Sequence, residues 1–375
     1  MNLSTRLQHV REELTERELD TLLVSEAKNR RYLSGFSGSS GWLLVTAERP
    51  ILITDGRYWD QVARECPGVE LFKFVASDHE SLTGALIVLL KEKGLPADGR
   101  SLGVETNGMT LASFRDLRKG LKEEGLGLAE VEGIVHKLRE RKDSEEITLM
   151  RKAAEIADEA LSHALAEFKP GGKEVELKAL IEYQILLRGG SATSFPTIVA
   201  SGPNGSYPHA GASHRAIQEG ELVTIDFGAL YQGYCSDMTR TVWWGRLSER
   251  DRTILGATRE AQSLARQAVT AGVEARSLDL LAREHLEKAG LGEYFVHSLG
   301  HGVGLDIHEA PGLRKTSEAI LEAGQVVTVE PGVYIPGDTG CRVEDTVVVT
   351  DGEPDVLNRF PKQSLDAVVP PRLAP

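Results

Sequence analysis

A chain of 375 residues is too long for one typical small domain, and its 41% hydrophobic and 26% charged residues, with 38 Gly and 15 Pro, are those of an ordinary folded enzyme rather than a disordered or fibrous chain. A formal net charge of −13 excludes an extended nucleic-acid-binding face, because phosphate backbones require clustered Lys and Arg. The acidity points instead to small or cationic partners.

The longest apolar run, residues 86–90, is far short of the ~20 residues that cross a bilayer, and the N-terminal MNLSTRLQHVREEL has no hydrophobic signal core. A cytoplasmic location without a membrane partner is therefore expected. Cys66, Cys235 and Cys341 are widely spaced and form no CxxC pair, so neither a disulfide framework nor a zinc knuckle is indicated.

Over about the first 125 residues, helical stretches alternate with short β-rich runs, TLLVS from Thr21, GWLLVT from Gly41 and PILIT from Pro50. This reads as a small α/β domain, placed at residues 1–130, ahead of a larger domain at 131–375. The charged stretch KLRERKDSEE (137–146) follows, and Asp143 with Glu146 three residues later has the pattern of a helix N-cap. Ile147, Met150, Ala154, Ala157, Leu161, Leu165 and Phe168 then recur at helical spacing until Lys169-Pro170-Gly171-Gly172 stops them. A second helix is expected over about 174–187. A similar order returns later, with a helix to Ala271, then Gly272, a helix over 277–289 and strands. That order suggests an internal repeat with a site between its halves. The expected fold class is α+β.

The segment ELVTIDFGALYQGYCSDMTRTVWW (221–244) has two β-rich runs around Tyr231-Gln232-Gly233 and reads as a hairpin. A loop centred between Tyr231 and Gln232 places Asp226 opposite Asp237. Cross-strand neighbours lie ~5 Å apart at Cβ, so two carboxylates there need a proton or a cation to be tolerated. The run QVVTVEPGVYIPGDTGCRVEDTVVVT (325–350) repeats the device, with Glu330 and Glu344 about evenly placed around a Pro/Gly-rich turn. Between them, HSLGHGVGLDIHEAPG (297–312) adds His297, His301 and His308 among glycines that permit close backbone approach.

An isolated Asp pair on a hairpin is more often a solvated turn or a surface ion pair, and a single histidine is more often an ordinary polar residue. Here, however, the pairs lie among Val, Ile and Phe, where unpaired carboxylates are costly to bury. Gly300-His301-Gly302-Val303-Gly304 lacks GxGxxG spacing and precedes no helical pattern, which excludes a dinucleotide loop. Histidine among the oxygen ligands suits a transition metal better than calcium. His9, His79, His136, His163, His214 and His285 lie outside these clusters, and Trp243-Trp244 reads as core or interface.

IDFGALYQGYCSDMTRT, SLGHGVGLDIHEAP, TVEPGVYIPG and CRVEDTVVVT, in this order, resemble the pita-bread metallopeptidases, a family that includes methionine aminopeptidase, aminopeptidase P and prolidase. NRRYLSGFSGSSGWLLVT and ILITDGRY look like the extra N-terminal domain of aminopeptidase P and prolidase. The resemblance implies a small α/β creatinase-like N-terminal domain followed by a pita-bread catalytic domain. It implies that Asp226 chelates one metal, that Asp237 and Glu344 bridge two, and that His301 and Glu330 complete the other shell. The oxygen-rich set suits manganese, with cobalt or zinc as alternatives.

Glu330 is the candidate proton shuttle, and the same resemblance makes His209 and His308 the contacts of the scissile amide or of the tetrahedral intermediate. It also makes His297 a third pocket histidine. Arg342, two residues before Glu344, shares its strand face and is expected to orient the carboxylate or a substrate terminus, with Tyr334 lining the pocket. The implied activity is that of an Xaa-Pro aminopeptidase acting on peptides with proline second. Xaa-Pro dipeptidase (prolidase) is the near alternative, and a non-catalytic binding protein of the same fold is the alternative of another class. A homodimer is implied as well.

Overall fold

The computed structural model describes residues 3–79, 81–371 and 373. It divides into two compact units, Met1–Arg139 and Glu140–Pro375.

In the first unit the short β-rich runs form strands β1 (Leu22–Val24), β2 (Trp42–Val45), β3 (Ile51–Asp55), β4 (Glu70–Phe74), β5 (Ser101–Glu105) and β6 (Gly127–Val131). They make one sheet in the order β4-β3-β2-β1-β5-β6, parallel at β3–β4, β1–β5 and β5–β6 and antiparallel around β2. Helices α1 (Leu3–Glu16), α2 (Ala27–Ser34), α3 (Trp59–Glu65), α4 (Leu82–Lys93), α5 (Leu111–Glu123) and α6 (Ile134–Glu140) surround it. Leu86, Leu89 and Leu90 of α4 and Leu117 and Leu121 of α5 close over Leu23, Leu44, Ile53 and Val104 of the sheet. Side-chain oxygens of Ser81 and Thr110 cap the two helices by accepting from the backbone of Gly84 and Ser113.

The sequence places the end of this unit at residue 130, but the chain leaves it only after Arg139. Arg139 Nη1 donates to Asn29 Oδ1 at 2.6 Å, and Tyr32 Oη donates to the Leu138 carbonyl at 3.3 Å, so α6 belongs to the first unit. A charged stretch looks like a linker in sequence, but here it is fastened by its own cation.

The second unit begins with α7 (Ser144–Glu167), whose Asp143 cap accepts from Glu145 and Glu146 N–H at 2.9 and 3.0 Å while Glu146 accepts from Asp143 N–H. Met150, Ala154, Ala157, Leu161 and Leu165 are buried, as their spacing predicts. Helix α8 (Glu174–Leu187) packs on α7, and the pair covers the sheet formed by β8 (Ile198–Ser201), β9 (Val223–Phe227) and β12 (Met238–Val242). Short strands β7 (Ala192–Thr193), β10 (Ala229–Tyr231) and β11 (Tyr234–Cys235) form a side ladder.

The order then repeats. Helices α9 (Glu249–Gln267) and α10 (Ala275–Lys288) pack together over a sheet that contains β13 (Gly300–Gly302), β14 (Glu309–Leu313), β15 (Val326–Val329), β18 (Asp345–Val348) and β19 (Asp355–Val356). Strands β16 (Gly332–Ile335) and β17 (Thr339–Arg342) form a hairpin between β15 and β18. Each half thus has two helices on a sheet and its own apolar cluster, which bears out the repeat inferred from element order. Helix α9 stops four residues short of Ala271, whose N–H donates instead to the Thr350 carbonyl at 2.9 Å.

Candidate active site

The first hairpin differs from the sequence expectation by one register step. Gln232 and Gly233 both have positive φ, 45° and 84°, and Tyr231 pairs with Tyr234, so the turn has two residues and is centred between 232 and 233. Asp226 therefore faces Thr239 rather than Asp237. Asp237 lies two residues before Thr239, on the same face and diagonal to Asp226, so both carboxylates still reach one site. Gly228 makes this possible, since a Cβ there would meet the Ser236 carbonyl at 1.8 Å.

The second run keeps the expected symmetry. Val329 pairs with Asp345 and Gly332 with Arg342, which leaves Glu330 and Glu344 at matching positions in the break between the two ladders. Glu330 N–H donates to the Leu299 carbonyl at 2.8 Å, just before β13, and Glu344 N–H donates to the Thr239 carbonyl of β12 at 3.1 Å, so each acid is tied to a neighbouring segment. His301 projects from β13 between Gly300 and Gly302, where added Cβ atoms would strike the Thr328 and Ala310 carbonyls at 2.0 and 2.2 Å. Its Nδ1 donates to the Gly302 carbonyl at 3.0 Å, and Nε2 faces Glu330 Oε1 at 3.3 Å and Asp237 Oδ2 at 3.6 Å, donating to Glu330 when protonated and free to turn its lone pair to a cation when not.

Asp237, His301 and Glu344 each offer a ligand atom, and the three atoms lie within 4.8 Å of one another. Burial, then the charges of Glu344 and Asp226, push the Asp237 carboxyl well above its usual range. Burial, then Glu330 and Asp226, do the same to Glu344. Burial raises Asp226 too, against the pull of Arg342. Glu330 moves the other way: burial would raise it, but the hydrogen bond and charge of His301 hold it down to about 2. Asp226 Oδ1 is buried with no hydrogen-bond partner. Crowded acids, an orphaned carboxylate oxygen and an imidazole lone pair fit divalent cations, which would restore the charge balance.

The remaining residues singled out in the sequence gather around a cavity of ≈ 560 Å³ within this unit. His209, His297, His308 and Arg342 line it beside the acids. The His301 and His308 rings meet edge to face with centroids 4.4 Å apart, and burial lowers the His308 proton affinity. His297 Nδ1 donates to the Ser298 carbonyl at 2.8 Å, so its Nε2 accepts from Tyr334 Oη at 3.0 Å. Tyr334 Oη in turn accepts from Arg342 Nη1. Tyr334 thus stands behind the wall it was expected to line, because both faces of its hydroxyl are engaged there. Arg342 grips Asp226 rather than Glu344, with Nη2 2.5 Å from Asp226 Oδ2, and its Nη1 donates to the Pro208 carbonyl at 3.2 Å.

A family model described as metallopeptidase family M24 matches residues 148–351, more than half of the chain, and one described as the Creatinase/Prolidase N-terminal domain matches residues 6–141. This chain belongs to metallopeptidase family M24. Its relatives include a Xaa-Pro dipeptidase of Pyrococcus horikoshii, 35% identical over 352 residues that cover 93% of this chain and 95% of the relative. Similar solved structures include a Xaa-Pro dipeptidase from Bacillus anthracis, with TM-score 0.91 and 37% identity over 96% of this chain and 99% of that one. The X-Pro aminopeptidase from Thermotoga maritima has TM-score 0.85 and 31% identity over 93% and 98%. The M24 fold, its enzyme class and its divalent-metal chemistry are therefore shared by this chain. Among the described residues, no helix is long and apolar enough to cross a membrane.

Two residues of this M24 site escaped the sequence reading. Thr239 donates to Glu344 Oε2 at 2.8 Å and accepts from Arg342 Nε at 3.1 Å. The period of two from Asp237 is the signal that would have found it. Lys178 of α8 lines the cavity and belongs to no motif.

Proposed function

We propose that the second unit is a dinuclear-metal Xaa-Pro aminopeptidase, which hydrolyses the bond before proline at the amino end of a peptide. The convergence of Asp237, His301 and Glu344 ligand atoms, with Asp226 and Glu330 beside them, carries this reading. Asp226 would hold one ion, His301 and Glu330 the other, and Asp237 and Glu344 both. Two bound divalent ions, manganese by preference and cobalt or zinc as substitutes, would supply Lewis acidity to a water and to the scissile carbonyl.

The chain's own groups do the rest. Glu330 takes the proton of the attacking water and delivers it to the departing proline nitrogen. His209 and His308 donate to the substrate oxygen as it gains charge. His297, with both ring nitrogens engaged by Ser298 and Tyr334, gives the pocket a fixed ring surface, while Arg342 steadies Asp226 and the backbone before His209. A cytoplasmic homodimer is part of the same proposal, and sedimentation analysis checks its size.

A second reading, Xaa-Pro dipeptidase, is favoured by Lys178. Arg342 is engaged by Asp226, Tyr334 and Pro208, whereas Lys178 lines the cavity and, among the described residues, makes a 3.8 Å ion pair to Glu182, and a dipeptide brings a free carboxylate close to the scissile bond. Manganese-loaded protein is assayed for release of the first residue from Ala-Pro and from Ala-Pro-Xaa peptides. Turnover of the longer peptides supports the aminopeptidase reading, and turnover of the dipeptide alone replaces it with the second. Failure to bind a divalent metal, together with no hydrolysis of either, leaves a binding protein of the same fold.

A further inference from the structure

Glu174 opens α8 and is fully buried. Its Oε1 accepts from the backbone N–H and the hydroxyl of Ser201, both at 2.7 Å. Its Oε2 accepts from Asn204 Nδ2 at 2.8 Å, Ser213 N–H at 2.9 Å and the Ser213 hydroxyl at 2.6 Å. Ser201 ends β8 and Ser213 lies beyond His209, so one side chain closes both ends of the segment 202–212 on which His209 stands. The helix start is fastened to the same place, since Val175 N–H donates to the Ser213 carbonyl and Glu174 N–H to the Arg215 carbonyl, both at 3.1 Å.

Apolar packing holds this segment at few points, with Ala212 against the core of its half and Ala210 buried. Its sequence, GPNGSYPHAGA, carries Tyr207 at 63% exposure and otherwise only small apolar side chains and two prolines. A loop with so few apolar anchors depends on hydrogen bonds to keep one conformation, and a network with every acceptor filled is the kind that specifies it. A carboxylate is unfavourable to bury unless its lone pairs are occupied, and here five donors surround it.

We propose that Glu174 is a positioning residue for His209: by holding Ser201, Asn204 and Ser213 together, it fixes the loop that aims His209 at the substrate oxygen. The inference rests on the role given to His209 above. Glu174→Gln keeps the shape but introduces an amide donor among donors. In manganese-loaded protein it is expected to lower kcat on an Xaa-Pro peptide about 30-fold with bound metal unchanged. His209→Ala is expected to add less than a further twofold in the double variant, because two changes to one device do not multiply. Amides of 202–212 are expected to exchange at least tenfold faster in Glu174→Gln.

A folded Glu174→Gln protein with kcat within twofold of the parent, or effects that multiply in the double variant, overturns the proposal. If Glu174→Gln fails to fold, Ser213→Ala and Asn204→Ala remove single donors, and the same non-additivity with His209→Ala decides. If His209→Ala leaves kcat unchanged, the role of His209 fails by itself. Exchange of 202–212 still judges the tether in that case: unchanged protection in Glu174→Gln overturns it and faster exchange supports it.

Discussion

Glu330 differs from the three acids around it, because the histidine that crowds it also lowers its proton affinity while Asp237 and Glu344 are driven up. Glu330→Gln is expected to reduce kcat by about 10³-fold while the protein still melts cooperatively, and a kcat within tenfold of the parent removes the proton-carrying role. In the first unit, Glu105 is 1% exposed, and burial pushes its carboxyl up to about 7, with the Asn29 hydrogen bond only partly opposing this. The unfolded chain releases that proton near 4.5, so between the two values the native state binds more protons and stability falls as pH rises. His136, raised by its hydrogen bond to Glu26, adds stability at low pH that is likewise lost as pH rises. Glu105→Gln is expected to recover on the order of 3 kcal/mol at pH 8 and nothing at pH 4, as read by denaturation of the first unit at the two pH values. Equal shifts at both would contradict the assignment.

At the scale of elements, the helices were legible because amphipathic spacing and caps are local. The run from Ile147 to Phe168 and the Asp143–Glu146 cap reappear as α7 with its capping box. The first hairpin was legible as a hairpin and misread in register, since turn centring depends on which residues adopt positive φ. Gln232 at φ 45° occupies a position that asparagine tolerates better. Gln232→Asn should therefore stabilise the second unit by about 0.5 kcal/mol, read as a small upward shift of its denaturation midpoint; a loss of stability would mean that the glutamine side chain matters more than its backbone. The second pair, Glu330 and Glu344, kept its symmetry because both ladders around it share one register.

At the scale of the whole molecule, the two units have separate apolar clusters, one around Leu23, Leu86 and Leu117 and two in the second unit. Calorimetry should show two unfolding transitions, and saturating manganese should raise only one of them. Binding at 100 times the dissociation constant is worth about 2.7 kcal/mol to the unit that holds the site. A metal that shifts both transitions equally would place ligands outside the cluster described above. What the residues determined by themselves were the helices, the two-unit order and the grouping of Asp226, Asp237, Glu330 and Glu344 as carboxylates costly to bury, because periodicity, caps and that cost are carried by short stretches, whereas their assignment as metal ligands is what the family resemblance implies. Only the tertiary structure decided that α6 belongs to the first unit, that Arg342 grips Asp226, that Tyr334 stands behind the wall and that Glu174 ties the loop of His209. Each of these is a contact between segments distant in sequence, and no local pattern specifies which partner a buried polar group will find.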